Sequence, residues 1–242
     1  LLLLASLQWP GLVQAGCDDP PARRVNWLRC DKPGADLRGA DLREAVLTQV
    51  NLANAQLAGA RLNNADLGGA TLSEADLTGA TLTDARLVSA KAERATFSGA
   101  NLAGARLERT LLTGANLSGA DLSGARLDQA DLRGANLSGA KLGKANLTQT
   151  NLTGSQLPSA DLSSAILSRA VLENAVLIEA NLHGANLAGT TLLDADFSGA
   201  NLAGANLAEA RLTGARFTDA KLDSTIWPDR RRCQPASVGE CR

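Results

Sequence analysis

The side chains able to do chemistry recur with a regularity that argues against catalysis. Carboxylates come in close pairs, Asp36 with Asp41 and Asp194 with Asp196, and such pairs serve hydrolysis when they converge in a cleft with shifted pKa values. Here acids and bases are intermixed along the chain, which is the pattern of a solvated surface. The single histidine, His183, has no second histidine or cysteine near it, and the four cysteines, Cys17, Cys30, Cys233 and Cys241, show no Cys-x-x-Cys spacing. No metal site and no cofactor are therefore expected. Glycines such as Gly114, Gly119 and Gly134 imitate a phosphate-binding loop, and Asn-Leu-Ser or Asn-Leu-Thr at Asn116, Asn136, Asn146 and Asn151 imitates a glycosylation sequon. Both resemblances arise from one underlying repeat, so no catalytic residue is assigned.

That repeat sets where every side chain must go. Stepping by fives from Leu37 to Leu222 gives 38 consecutive units without insertion, and the central residue is Leu in all but Ala92, Phe97, Phe197 and Phe217. Two places before it stands a small residue, Ala except at Val50, Thr110, Thr150, Ser155 and Thr190. Ala120-Asp121-Leu122-Ser123-Gly124 is representative. In an α-helix residues five apart sit about 140° from one another, and in a plain strand alternate leucines would face opposite ways. Either would expose much of the apolar set. A five-residue period buries it only if each unit makes one short extended side and one corner, with the central residue and the small residue pointing inward. Four units then close a square coil, and coils stack at strand spacing, ~4.8 Å. With 45% hydrophobic but only 2% aromatic residues, the core must be built from small and medium aliphatics.

The motif Ala-(Asp/Asn)-Leu-x-x, in register from Ala35 to Ser224, resembles the pentapeptide-repeat family. The resemblance implies an all-β fold, a right-handed quadrilateral parallel β-helix, and 38 units predict about nine to ten coils. Solenoids of this kind carry atypical ends that cover exposed backbone. Trp27 and Trp227 fall on the central register beyond the regular units and are expected to plug the two ends.

The predicted organisation is a signal segment at 1–15, an N-terminal cap at 16–34, the repeat at 35–224 and a C-terminal cap at 225–242. Leu1 to Leu7 followed by Val13-Gln14-Ala15 reads as the apolar and cleavage regions of a secretory signal that begins inside its own sequence, with cleavage before Gly16. Ala15-Gly16-Cys17 also fits lipoprotein processing at Cys17, against which stands Gln14, where such sites want Leu or Val. The apolar run is too short to span a membrane. A disulfide needs Cα atoms within about 7 Å, so the separated ends of a rod predict Cys17–Cys30 and Cys233–Cys241, and an exported chain meets the oxidising compartment that preserves them.

Residues twenty apart stack on one side of such a rod, so surface patches are legible. Arg86, Arg106 and Arg126 fall one above another with Arg109 beside them and Glu108 and Asp128 interleaved, making either a charge-compensated ladder or an anion-binding stripe. Arg230, Arg231 and Arg232 add a basic cluster near the C-terminus. Ile166, Val171, Val176 and Ile178 take outward positions, a weak candidate for a protein partner or for a homodimer contact. The net charge of −1 supplies no field toward nucleic acid or membrane. The expected function is a non-catalytic, exported rod, periplasmic or secreted, presenting surfaces to a protein partner. The resemblance also brings in the quinolone-resistance members, which bind a topoisomerase by imitating DNA. About 20 acids against 16 bases between Ala35 and Ser224 fall far short of one charge per ~1.7 Å of duplex, and a signal segment takes the chain out of the cytoplasm.

Overall fold

The structure, a computed structural model, describes residues 16–242; the expected signal segment lies outside the described residues. Parallel bridges join residues twenty apart from Asn26 with Val46 through to Asn206 with Ile226. The chain therefore winds as a four-sided stack. Its first side carries Trp27, Leu47 and their successors to Trp227; the second runs from Lys32 to Leu212, the third from Leu37 to Phe217 and the fourth from Leu42 to Leu222.

One unit, Ala130-Asp131-Leu132-Arg133-Gly134, shows why the five positions want their residue types. Ala130 N–H closes a turn onto Leu127 O at 2.9 Å, Asp131 N–H reaches back to Thr110 O at 3.0 Å, and Leu132 and Gly134 N–H reach forward to Asn151 O and Thr153 O at 2.7 and 2.9 Å. Only Arg133 N–H is left over, and the Asp131 carboxylate accepts it at 3.2 Å. The same bond recurs at Asp66 to Gly68, Asn116 to Ser118 and Asn186 to Ala188. Asp or Asn before the central Leu thus satisfies the one backbone donor that neither turn nor stack can use.

The fifth position bends the chain through a positive φ, 63° at Gly134 and 61° at Gln129. Glycine adopts that conformation freely, whereas any other residue pays about 1–2 kcal/mol. The corners held by Gln129, Lys144 and Arg169 are offset by the backbone bonds they complete.

The core is a continuous column of Leu and Ala with essentially no exposure. Ala92 and Phe97 are both fully buried in the same turn of the stack, so the volume lost on the second side returns as a ring on the third, as close packing requires. Where a hydroxyl replaces the inward Ala, it is buried and bonded: Thr110, Thr150 and Thr225 each donate at 2.8 Å to a carbonyl of the preceding turn, while Ser155 and Thr190 donate at 2.7 Å within their own corner.

The two ends are closed differently. At the N-terminal end Trp27 is 1% exposed, its indole N–H donates to Asp19 O at 3.2 Å, and the Lys32 ammonium sits 4.3 Å from its ring centroid. Cys17 and Cys30 are joined there. At the other end the chain folds back, pairing Arg232 with Ile226 and Val238 with Lys221 in antiparallel bridges, and Cys233 joins Cys241. This turn covers the first and fourth sides. Below it Phe197 and Phe217 stack at 5.1 Å, and Trp227 tilts against Phe217 at 5.3 Å. Trp227 stays partly exposed, as do Leu212 and Ala215 on the sides the fold-back leaves uncovered.

Candidate functional site

Outward side chains form ladders whose rungs are set by the stacking. Asp41 faces Arg43 at 2.6 Å and Arg61 of the next turn at 2.8 Å. The hydrogen-bonded Arg43 guanidinium holds the Asp41 carboxyl down at about 2, and Arg38 does the same for Asp36, also about 2. Arg133, forked onto Asp131, and Arg216, bonded to Asp196, likewise lower those carboxyls. Arg38, Arg133 and Arg216 each pair with one acid, whereas Asp41 and Glu44 each take two arginines.

The arginine column on the first side combines both arrangements. Arg86 pairs with Arg106, and Arg106 with Arg126, as bridge neighbours, so the three are stacked. Arg86 is satisfied from above by Asp66 at 3.2 Å rather than by either interleaved acid. Arg106 and Arg126 share one carboxylate: their Nε atoms lie 3.3 and 3.1 Å from the same oxygen, Oε1 of Glu108. Glu108 is only 8% exposed, and its second oxygen is buried without a hydrogen-bond partner. Asp128 turns instead to the Asn146 amide. Arg109 takes a corner position with φ 58°; its N–H bonds to Asp128 O at 3.0 Å, while its side chain is exposed and makes no ion pair. Arg106, Arg109, Arg126 and Gln129 line a groove of about 500 Å³ over Glu108.

The other proposed sites are dispersed. Ile166 lies on the first side, Val171 on the second, and Val176 with Ile178 on the third. Ile166 and Ile178 are exposed while Val171 and Val176 are half-buried, so no continuous apolar face forms. In the C-terminal cluster Arg230 pairs with Glu209 and Arg231 with Asp229. His183 is exposed, one place past the core Leu182. Among the described residues no group of His, Cys, Asp or Glu is arranged to hold a metal ion, and no helix is long and apolar enough to cross a membrane. Burial of Glu108 was the feature the sequence did not show, because the position after the central Leu is partly or fully exposed everywhere else but at Gly68.

Comparison with known proteins places this geometry. No curated protein matches the chain in sequence. Among solved structures, HetL, a pentapeptide repeat protein involved in heterocyst differentiation regulation in the cyanobacterium Nostoc sp. strain PCC 7120, is 37% identical over 86% of this chain and 92% of its own, with a TM-score of 0.42. QnrB1, a plasmid-mediated fluoroquinolone resistance protein, is 22% identical over 63% of this chain and 78% of its own, with a TM-score of 0.59, a likeness of fold alone. A pentapeptide repeat protein of the Arabidopsis thaliana thylakoid lumen is 32% identical over 51% of this chain and 66% of its own, with a TM-score of 0.20. The family model described as Pentapeptide repeats matches successive stretches that together run from residue 34 to residue 226. The chain belongs to the pentapeptide-repeat family, and its four-sided stack is that family's right-handed quadrilateral β-helix.

Proposed function

We propose that the chain is an exported, non-catalytic rod that holds its outer sides rigidly before a protein partner in the cell envelope. The observation that carries this reading is a division of labour within each unit. The two inward positions are nearly invariant and wholly consumed by the core, while all variety lies in three outward positions. A convex surface with fixed backbone suits recognition. Disulfides in both caps favour an oxidising compartment, in keeping with the apolar opening of the sequence. Imitation of DNA is disfavoured by the near balance of charge. The test is photo-cross-linking in cells that produce the chain, with the reactive residue moved along outward positions of each side. Adducts confined to one side, on material whose four cysteines are oxidised, are expected. Reactive thiols in a chain confined to the cytosol, or adducts spread evenly over all sides, would overturn the proposal.

A further inference from the structure

We propose that the groove formed by Arg106, Arg109 and Arg126 over Glu108 is a binding site for hydrogen phosphate or a phosphomonoester. The inference stands apart from any protein partner and from the compartment the chain occupies.

The first argument is a charge count. Arg106 and Arg126 are bridge neighbours, so their backbones lie ~4.8 Å apart and their like charges must be offset locally. Some ladder arginines have a carboxylate to themselves, as Arg86 has Asp66 and Arg216 has Asp196; Arg43 and Arg61 share Asp41, whose side chain is more exposed than that of Glu108. Here one carboxylate serves two guanidinium groups, and the next acid, Asp128, is engaged by Asn146. Arg109 then adds a third cation that makes no ion pair among the described residues. Three arginines against two acids leave the groove one positive charge in excess.

The second argument is donor geometry. Glu108, itself buried, accepts a hydrogen bond from Arg106 Nε and pairs with Arg126 Nε, and the Nη groups of both arginines make no ion pair or hydrogen bond among the described residues. Arginine Nη pairs are matched in spacing to the oxygens of phosphate. With Arg109 at the corner, donors approach from three directions. A tetrahedral oxyanion can accept from all three, whereas one planar carboxylate engages fully with one fork.

The third observation separates phosphate from other oxyanions. Glu108 Oε2 is a buried acceptor with no donor, and such an orphan costs about 1–3 kcal/mol. A ligand that supplies an O–H relieves that cost once the Glu108 carboxylate turns this oxygen toward the groove. Hydrogen phosphate and singly protonated monoesters carry acceptor oxygens for the arginines and a P–O–H for Glu108. Sulfate carries only the acceptors.

Calorimetric titration of the full described chain, disulfides intact, tests this at pH 7 and low salt with potassium phosphate, glycerol 3-phosphate and potassium sulfate. Phosphate should bind at least about tenfold more tightly than sulfate. Arg109→Gln and Arg126→Gln should each weaken phosphate about tenfold or more, while Arg94→Gln, on the second side, should change nothing. Glu108→Gln, whose amide cannot stand as the same acceptor, should shrink the gap between phosphate and sulfate to about threefold or less. Co-sedimentation with phosphatidylcholine vesicles, with and without phosphatidic acid, then separates sources: retention only with phosphatidic acid assigns a lipid headgroup, and binding of the soluble ester alone assigns a free one. Equal binding of phosphate and sulfate by the unaltered chain, binding indifferent to Arg109 and Arg126, or no phosphate binding at a few millimolar would overturn the proposal.

Discussion

Leu132→Asp tests the inward phase of the whole repeat, and its cost can be worked out in two parts. Leu132 is fully buried, its N–H bonds forward to Asn151 O, and bridges of Leu111 with Asp131 and Asp131 with Asn151 stack it between Leu112 and Leu152. Removing its terminal carbons forfeits about 0.8 kcal/mol per buried CH₂, roughly 2.5 kcal/mol in all. The new carboxyl has no cation within an aliphatic column, so it enters protonated. At pH 7, three units above an ordinary aspartate pKa of about 3.9, that proton costs about 4 kcal/mol at 1.36 per unit. The total at pH 7 is about 6.5 kcal/mol, beyond the usual range for single substitutions. The second part has a signature. The folded-state pKa of the new group is raised, so its penalty is present at neutral pH and fades as pH falls toward the unfolded value; at pH 5 only about 1.5 kcal/mol of it remains. Since each turn touches only its neighbours, the damage is expected to open the turns around residue 132 before the rest. Urea unfolding at pH 7 and pH 5, with limited proteolysis to locate the opened turns, makes the measurement, and Asp131→Asn is the outward control, expected to cost under about 1 kcal/mol. A loss for Leu132→Asp that is small and equal at both pH values would refute the inward assignment, and with it the four-sided packing.

Thr150→Val should destabilise by only about 0.5–1.5 kcal/mol, because Leu127 O, which loses the hydroxyl, still accepts Ala130 N–H at 2.9 Å; a larger loss in urea titration would mean the hydroxyl does more than satisfy itself. The carboxyls of Asp36, Asp41, Asp131 and Asp196 are all held below their ordinary value by arginine. Their contribution is therefore complete above about pH 4 and is lost as pH falls toward about 2, so melting temperature should be level from pH 8 to about 5 and decline below about 4; a decline beginning near neutrality would contradict it. Denatured, non-reduced protein should show no titratable thiol, and reduction should make both ends protease-sensitive before the middle, whereas cleavage starting in the middle would argue against the caps.

The inward half of this molecule was legible because a strict period leaves one solution for burial: Leu every fifth residue cannot be hidden by helix or flat sheet, and the cysteines could pair only end by end. The preference for Asp or Asn before Leu was visible as a pattern, but its cause was not. It lies in the single N–H, such as that of Arg133, left over after stack and turn take theirs, and that requires knowing which carbonyls the other four donors reach. The arginine column was likewise located by counting twenties, but not its pairing: Arg86 looks back to Asp66, while Glu108 serves Arg106 and Arg126. Long side chains choose among neighbours a turn above, a turn below or two residues away, and sequence spacing ranks these equally.

The same regularity that reveals the fold conceals the function. In a repeat whose inward positions are fixed, selection for stability acts almost wholly on two residues in five, and the remaining three are free of one another except through ladder pairing. A functional site must then appear as a departure from pairing rather than as a motif. Single outward substitutions such as Ile166 or Val171 are not departures in this sense, since a β-branched residue on an extended segment is favoured anyway and the structure sets them on different sides. Glu108 is one: it is a buried acid in a register that is mostly at least partly exposed, pairing with two arginines by one oxygen and leaving the other without a donor. A ladder built for stability alone would place a carboxylate opposite each guanidinium, as at Asp66 and Asp196. Where Asp41 is shared by Arg43 and Arg61, both of its oxygens are bonded, so the unpartnered oxygen of Glu108 is the physical reason to look there first.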